Sequence, residues 1–253
     1  MKILSKAKLI TVLGNRQLRK LISIGIQPNN ICIVPNTCTV SGISTGEVIS
    51  KHNNSNPIHI LHLSSLIDTK GFPSYLEALL LLSKDSGPRI EATLCGPLTL
   101  SPFASRFSSN QMAEQWIIDT LAAINRSSRV KAVWIPGATG TDKWELYKRT
   151  HIFVLPTSYK VEAQPIVLLE AMAHGCALVT TRVGEIDAIV SSMEAIFLDS
   201  TDATTVASAI DKLTIDEVLR KELAMAGFSR FKKEFTLNSY VNRWELLLKE
   251  CAC

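Results

Sequence analysis

Short apolar runs alternate with longer amphipathic or helix-forming segments along most of the chain. The runs at 58–63, 90–95, 130–135, 152–155, 177–181 and 195–198 are rich in Ile, Val and Leu, which predicts strands buried on both faces. Between them, helical patterns cover 73–83, 111–125, 141–149, a segment beginning near Pro165, and 185–191. This alternation predicts an α/β fold: a Rossmann-like parallel sheet of about six strands with helices on both faces and ligands at the carboxyl ends of the strands. A smaller strand, helix, strand unit precedes it at 9–13, 16–23 and 31–34, with Gly25 closing the helix. The last part is helical, over 203–213, 216–231 and 237–248. Residues 41–57 are dominated by Gly, Ser, Thr, Asn and His and predict a linker or surface loop.

One stretch stands out from this rhythm, Glu162-Ala-Gln-Pro-Ile-Val-Leu-Leu-Glu170-Ala-Met-Ala-His-Gly175. Pro165 suits the first position of a helix, where its missing N–H costs nothing, and Gly175 suits the left-handed position that ends one. The positions from Ile166 to Met172 are apolar apart from Glu170, which predicts an enclosed helix. An ionised Glu inside such a helix requires either the exposed helix start or a specific donor, because unpaired burial costs several kcal/mol. At about 1.5 Å per residue, Glu170 lies roughly 7–8 Å along the axis from Pro165, and Glu162 precedes the helix. Two acceptors therefore flank a helix N-terminus whose free N–H groups favour an anion. A ligand with hydroxyls at both ends and phosphate in the middle, a sugar nucleotide, fits that layout.

Composition narrows the field without deciding it. The chain has 253 residues, 46% of them apolar, enough for one good core. Its formal charge of +4, from 27 basic and 23 acidic residues that are interspersed, gives no case for nucleic acid as a partner and suits a diphosphate. Arg16, Arg19 and Lys20 form a short basic run, read as a solvated helix face, so membrane contact is at most peripheral. The six cysteines, at 32, 38, 95, 176, 251 and 253, lack metal-ligand spacing and read as reduced thiols of a cytoplasmic protein. Cys251-Ala-Cys253 reads as an exposed tail. There is no signal-peptide pattern and no apolar run of about 18 residues.

The run Pro156-Thr-Ser158 followed by Glu162 through Gly184 resembles the signature of retaining glycosyltransferases of the GT-B fold, in the "group 1" class. Lys70-Gly71, Leu94-Cys-Gly96-Pro97 and Pro35-Asn36 agree with the same pattern. The resemblance covers nearly all of the chain but only about one half of such an enzyme. It implies a remnant of the acceptor-side domain at 1–36, a linker at 37–56, a nucleotide-sugar-binding domain at 57–235 and a crossover helix with its tail at 236–253.

The same resemblance assigns roles. Lys70 goes to the donor diphosphate, Glu170 to both ribose hydroxyls, and Glu162 to the transferred sugar, as the catalytic carboxylate. Backbone N–H groups of Gln164, Ile166 and Val167 complete the cradle, Gly137 meets the base beside Trp134 or Ile135, and Thr157 contacts sugar or phosphate. Gly184 opens the loop where the family has a glycine pair, and Glu185 replaces the second. Ser65 stands where the family usually has an Arg and is a donor-binding candidate because it and Ser64 can still donate hydrogen bonds to the diphosphate. Ala163 stands where the family commonly has Gly. The implied co-substrate is a UDP- or GDP-linked sugar, with no cofactor and no metal, and with an amino-terminal partner domain to hold the acceptor. The runner-up reading is a nucleotide-binding module or fragment without transfer activity of its own.

Other chemistries fit less well. Gly137-Ala-Thr-Gly140-Thr-Asp-Lys143 lacks the Lys-Ser/Thr that a phosphate loop needs directly after its last glycine. A glycosidase needs two carboxyls about 5–9.5 Å apart across one bond, whereas one Glu here precedes a helix and the other lies inside it. A dehydrogenase needs Gly-x-Gly-x-x-Gly after its first strand, which neither Leu63-Ser-Ser nor Gly14-Asn-Arg supplies. His59 and His62 alternate with apolar neighbours and read as satisfied strand residues.

Overall fold

The computed structural model describes residues 6–40, 43–53, 55–103 and 106–252. Among the described residues there are two sheets. The first pairs β1 (Ile10–Val12) with β2 (Ile31–Ile33) in parallel, joined by α1 (Asn15–Ser23). Its small core of Val12, Ile26 and Ile31 is separate from the rest.

The second sheet contains β3 (Ile58–Leu63), β4 (Ile90–Cys95), β5 (Val130–Ile135), β6 (Ile152–Leu155), β7 (Ala177–Thr180) and β8 (Ala195–Phe197). All pairings are parallel, and the spatial order is β5-β4-β3-β6-β7-β8. The chain therefore works outward from β3 on one side and resumes from β6 on the other. The β3/β6 seam is the switch point where strand order reverses, and loops leaving adjacent strands there diverge to opposite faces and open a crevice.

Alternation along the strands explains why both faces are covered. In β6, Ile152 and Val154 point into a core shared with α3 (Phe72–Leu82), α4 (Asn110–Ile124) and α8 (Ala203–Ile215). Phe153 and Leu155 point the other way, into a core shared with α5 (Gly140–Arg149), α6 (Ile166–Ala173) and α9 (Glu217–Glu234). Every residue of β6 and β7 is buried, as the unbroken apolar runs predict.

The expected linker is the clearest departure. Residues Thr45–His52 form α2, packed on α9 with Val48 and His52 fully buried. Its start is a capping box: the Ser44 hydroxyl accepts from Glu47 N, and the Glu47 carboxylate accepts from Ser44 N at 2.7 Å. Ser-x-x-Glu was legible in the sequence, but the polar composition around it outweighed the signal. Pro165 also differs from expectation by one position, standing as the N-cap of α6 with ψ 115° rather than as its first residue.

The chain ends in α7 (Ile186–Ile189), then α8 and α9, then α10 (Leu237–Ala252), which presents Leu237, Val241 and Leu248 exposed. Side chains of the Cys251-Ala-Cys253 tail lie outside the described residues. Among the described residues no helix is long and apolar enough to cross a membrane.

Candidate functional site

The loops leaving β3 and β6 meet at the switch point. After β3 the chain turns through a short 3-10 segment, Asp68–Lys70, and reaches Gly71 at φ 92°. A side chain at Gly71 would come within 2.3 Å of the Pro156 carbonyl oxygen, so only glycine lets the two loops approach this closely. Ser158 N donates to Thr69 O at 2.7 Å and closes the contact. This clasp brings the Lys70 ammonium to 3.4 Å from Glu162 Oε2, with the Glu162 side chain only 8% exposed. Lys70 Nζ also lies 5.3 Å from the centre of the Tyr159 ring, and Thr157 Oγ1 is 3.5 Å from Glu162 Oε2. Lys70 is thus partnered by Glu162 rather than standing free.

The loop after β7 packs on the backbone at Glu162 and Ala163. Gly184 has φ 62°, and a side chain there would meet the backbone oxygens of Glu162 and Ala163 at 2.2 and 2.6 Å. Glu185 N donates to Ala163 O at 2.6 Å.

Glu170 sits one helix away and is held differently. It is 5% exposed within α6, and its carboxylate accepts from Lys143 Nζ at 2.6 Å and from the Tyr147 hydroxyl at 2.9 Å. Both partners come from one face of α5, four residues apart. Tyr147 is fully buried; burial first, then the Glu170 charge, drives its pKa well above the ordinary phenol value, so it remains an O–H donor. His174 stacks between Trp144 and Tyr147, with interplanar angles of 16° and 15°, and its Nδ1 pairs with Glu170 O at 2.7 Å. Nearby, burial and then the Glu170 carboxylate push the Cys38 thiol up to about 12. Of the two options the sequence leaves Glu170, an exposed helix start or a specific donor, the structure supplies donors, Lys143 and Tyr147; an i, i+4 donor pair across the preceding strand and loop carries no motif.

The remaining expected residues divide. Gly137 stands exposed on a cleft of about 710 Å³ lined by Ile135, Ala138, Asp142, Glu145 and Arg149. That cleft runs along α5, the helix that also carries Lys143 and Tyr147. Ile135 walls this cleft, whereas Trp134 instead donates its indole N–H to Gly96 O at 3.2 Å. Ser65 is exposed, and it is Ser64 that turns inward, 3.0 Å from His62 Nε2. His62 is a satisfied strand residue: its Nδ1 is 3.0 Å from Val154 O, and burial lowers its pKa to about 4. Thr157 is fully buried and lines a second cleft, of about 550 Å³, with Thr181, Arg182 and Asp199. Ile166 and Val167 form the first turn of α6.

Gln164 and Glu185 face the small amino-terminal unit. The Gln164 side chain accepts from Asn36 N at 2.5 Å and donates to Leu13 O at 3.1 Å. Glu185, 1% exposed, accepts from Arg16 N and Gln17 N at 3.2 and 2.5 Å, where the unpaired N–H groups and positive dipole end of α1 favour a carboxylate. Arg16 adds a 2.9 Å ion pair to Asp187. The residue that replaces the second glycine of the motif is therefore a cap for a distant helix, which sequence spacing did not reveal.

The family of glycosyl transferases group 1 matches residues 46–230. The chain belongs to that family. No curated protein sequence matches it. Among solved structures it is similar to Anabaena HepE in complex with UDP-glucose, at 16% identity and TM-score 0.73, over 98% of this chain and 66% of that one. It is similar to sucrose-phosphate synthase from Thermosynechococcus elongatus at 18% identity and TM-score 0.69, over 99% and 60% of the two chains. The C-terminal domain of the group 1 protein LpcC from Francisella tularensis matches at 17% identity and TM-score 0.59, over 78% of this chain and 95% of that domain. At these identities the structures establish the shared GT-B-type fold. The chain spans less than two thirds of the length of the HepE structures.

Proposed function

We propose that this chain is the carboxy-terminal, donor-binding portion of a retaining GT-B glycosyltransferase that transfers a hexose from UDP or GDP. The single observation that carries this reading is the meeting of Lys70, Glu162 and the Gly184 turn at the β3/β6 switch point, with the start of α6 beside them and Glu170 inside that helix. Free N–H groups at Ile166 and Val167 and the Lys70 ammonium receive the diphosphate, meeting negative charge on the leaving group with donors already fixed in place. Glu170 takes the ribose, the base lies toward Gly137 across the first turn of α5, and Glu162 and Thr157 face the transferred sugar. HepE, whose fold this chain shares, has been seen with UDP and with UDP-glucose.

On this reading residues 1–36 belong to the acceptor-side domain, and residues 37–56, helix α2 included, connect it to the donor domain at 57–235. Helix α10, in 236–253, returns toward the amino-terminal side. The acceptor is held by a facing partner domain. A second reading, a nucleotide-binding module without transfer of its own, is favoured by one observation: β1 and β2 form a two-stranded parallel sheet with its own small core, less than such sheets need to stand alone.

Calorimetry with UDP, GDP and ADP tests the common part of both readings; binding of UDP or GDP is expected, and heat from none of the three overturns it. Sugar transfer from UDP-glucose once an acceptor-side domain is supplied separates the two, since the module reading expects binding without turnover.

A further inference from the structure

Lys143 belongs to no part of the motif, yet it makes the shortest polar contact of the Glu170 carboxylate. The two partners close that carboxylate unequally. On one side Tyr147 is fully buried and donates its only O–H. On the other, the Lys143 side chain is 22% exposed against 7% for Glu170, so the ammonium is the solvent-facing member of the pair. A carboxylate has roughly four acceptor positions, and two are taken; an ammonium has three N–H groups, and one is taken. The Lys143 Nζ lies 4.3 Å from the centre of the Trp144 ring, a cation–π contact that holds the side chain against α5. The result is an acceptor and a donor held 2.6 Å apart, with the donor on the solvent side of the pair.

We propose that Lys143 and Glu170 together read a vicinal diol: one hydroxyl of the donor's ribose donates to Glu170, and its neighbour accepts from Lys143. The inference rests on the assignment of Glu170 to ribose given above. It goes further by making a lysine of α5 the second half of the ribose site. A lone carboxylate tolerates loss of either hydroxyl more readily than a fixed donor–acceptor pair, because a missing hydroxyl leaves one member of the pair without its ligand partner. The site should therefore discriminate strongly between ribo- and deoxyribonucleotides.

The test is calorimetry on the full chain with UDP, GDP and their 2′-deoxy and 3′-deoxy counterparts. For the wild type, the ribonucleotide is expected to bind about tenfold or more tighter than at least one deoxy form, the size of a hydrogen bond to a charged group. Lys143→Met should weaken ribonucleotide binding about tenfold and bring that ratio close to one, and Lys143→Arg should retain most of both. Because Lys143→Met leaves a buried carboxylate unpaired, the double variant Lys143→Met/Glu170→Gln, which removes the charge, is run beside it and should show the same lost ratio. Unchanged affinity and ratio in folded Lys143→Met overturn the role of Lys143 while leaving the Glu170 assignment standing. Failure of the wild type to bind UDP or GDP overturns both.

Discussion

The two carboxylates on either side of the start of α6 are each met by a lysine, and they are built to different standards. Glu170 is gripped from one helix to another, by Lys143 at 2.6 Å and Tyr147 at 2.9 Å, within a stack of aromatic rings. Glu162 is held from loop to loop, by Lys70 at 3.4 Å and Thr157 at 3.5 Å, beside the Gly184 turn. Contacts of 2.6–2.9 Å are full charge-assisted hydrogen bonds, whereas 3.4–3.5 Å is electrostatic proximity with little directional bonding. The difference teaches where the site is rigid and where it adapts. On the proposed assignment, a ribose common to every nucleotide donor suits a fixed reader on packed helices, and a transferred sugar and diphosphate that change along the reaction suit groups whose contacts rearrange at little cost.

The comparison can be broken or sharpened experimentally, and the largest effect sets the conditions for the others. At the amino ends of the strands, away from both carboxylates, His52 and His151 lie with rings 5.5 Å apart, beside Lys51 and His59. Burial first, then the neighbouring cations, lowers both pKa values from 6.5 to about 3. Their folded-state pKa is depressed, so below pH 6.5 the unfolded chain takes up protons that the folded one refuses. Stability is complete above about pH 6.5 and is lost as pH falls toward 3, by roughly 2 kcal/mol per histidine at pH 5. Urea titrations at pH 7 and pH 5 should show this drop, and an unchanged midpoint would contradict it.

Within the site, Glu170→Ala should have the largest effect, about a hundredfold on UDP affinity, because it removes the charged acceptor and strands Lys143 and Tyr147. Calorimetry above pH 7 reads this, and affinity kept within about threefold would put Glu170 outside the ligand site. Lys70→Ala should follow at about tenfold, with UDP hit harder than uridine since only the diphosphate meets the ammonium. Equal loss for uridine would assign Lys70 elsewhere. Tyr147→Phe should cost about 1 kcal/mol of stability, measured by urea, with nucleotide affinity changed less than in Glu170→Ala. Smallest on nucleotide affinity is Glu162→Ala, within about twofold for UDP, while any extra affinity for the sugar nucleotide over UDP disappears. A matched loss for UDP itself would erase the distinction between the two carboxylates.

Much of the fold was legible because it is written in local pattern. Strands buried on both faces can be neither amphipathic nor polar, so the six apolar runs mark the six-stranded sheet, and a glutamate in an apolar helix demands either an exposed helix start or a donor. The boundaries that slipped did so where two local signals competed: polar composition hid the Ser44–Glu47 capping box of α2, and Pro165 serves an N-cap nearly as well as a first turn.

By itself, the chain's order of residues determined a parallel α/β sheet, the helix behind Pro165 and a pair of carboxylates that needed company. Only the tertiary structure decided which company: Lys70 for Glu162, Lys143 and Tyr147 for Glu170, and the far-off start of α1 for Glu185. The reason is geometric. Strand and helix periods are set by neighbours a few residues apart, whereas ion pairs are set by which loops a strand order of β5-β4-β3-β6-β7-β8 brings together, and partners such as Arg16 and Asp187, 171 positions apart, leave no periodic trace of their meeting.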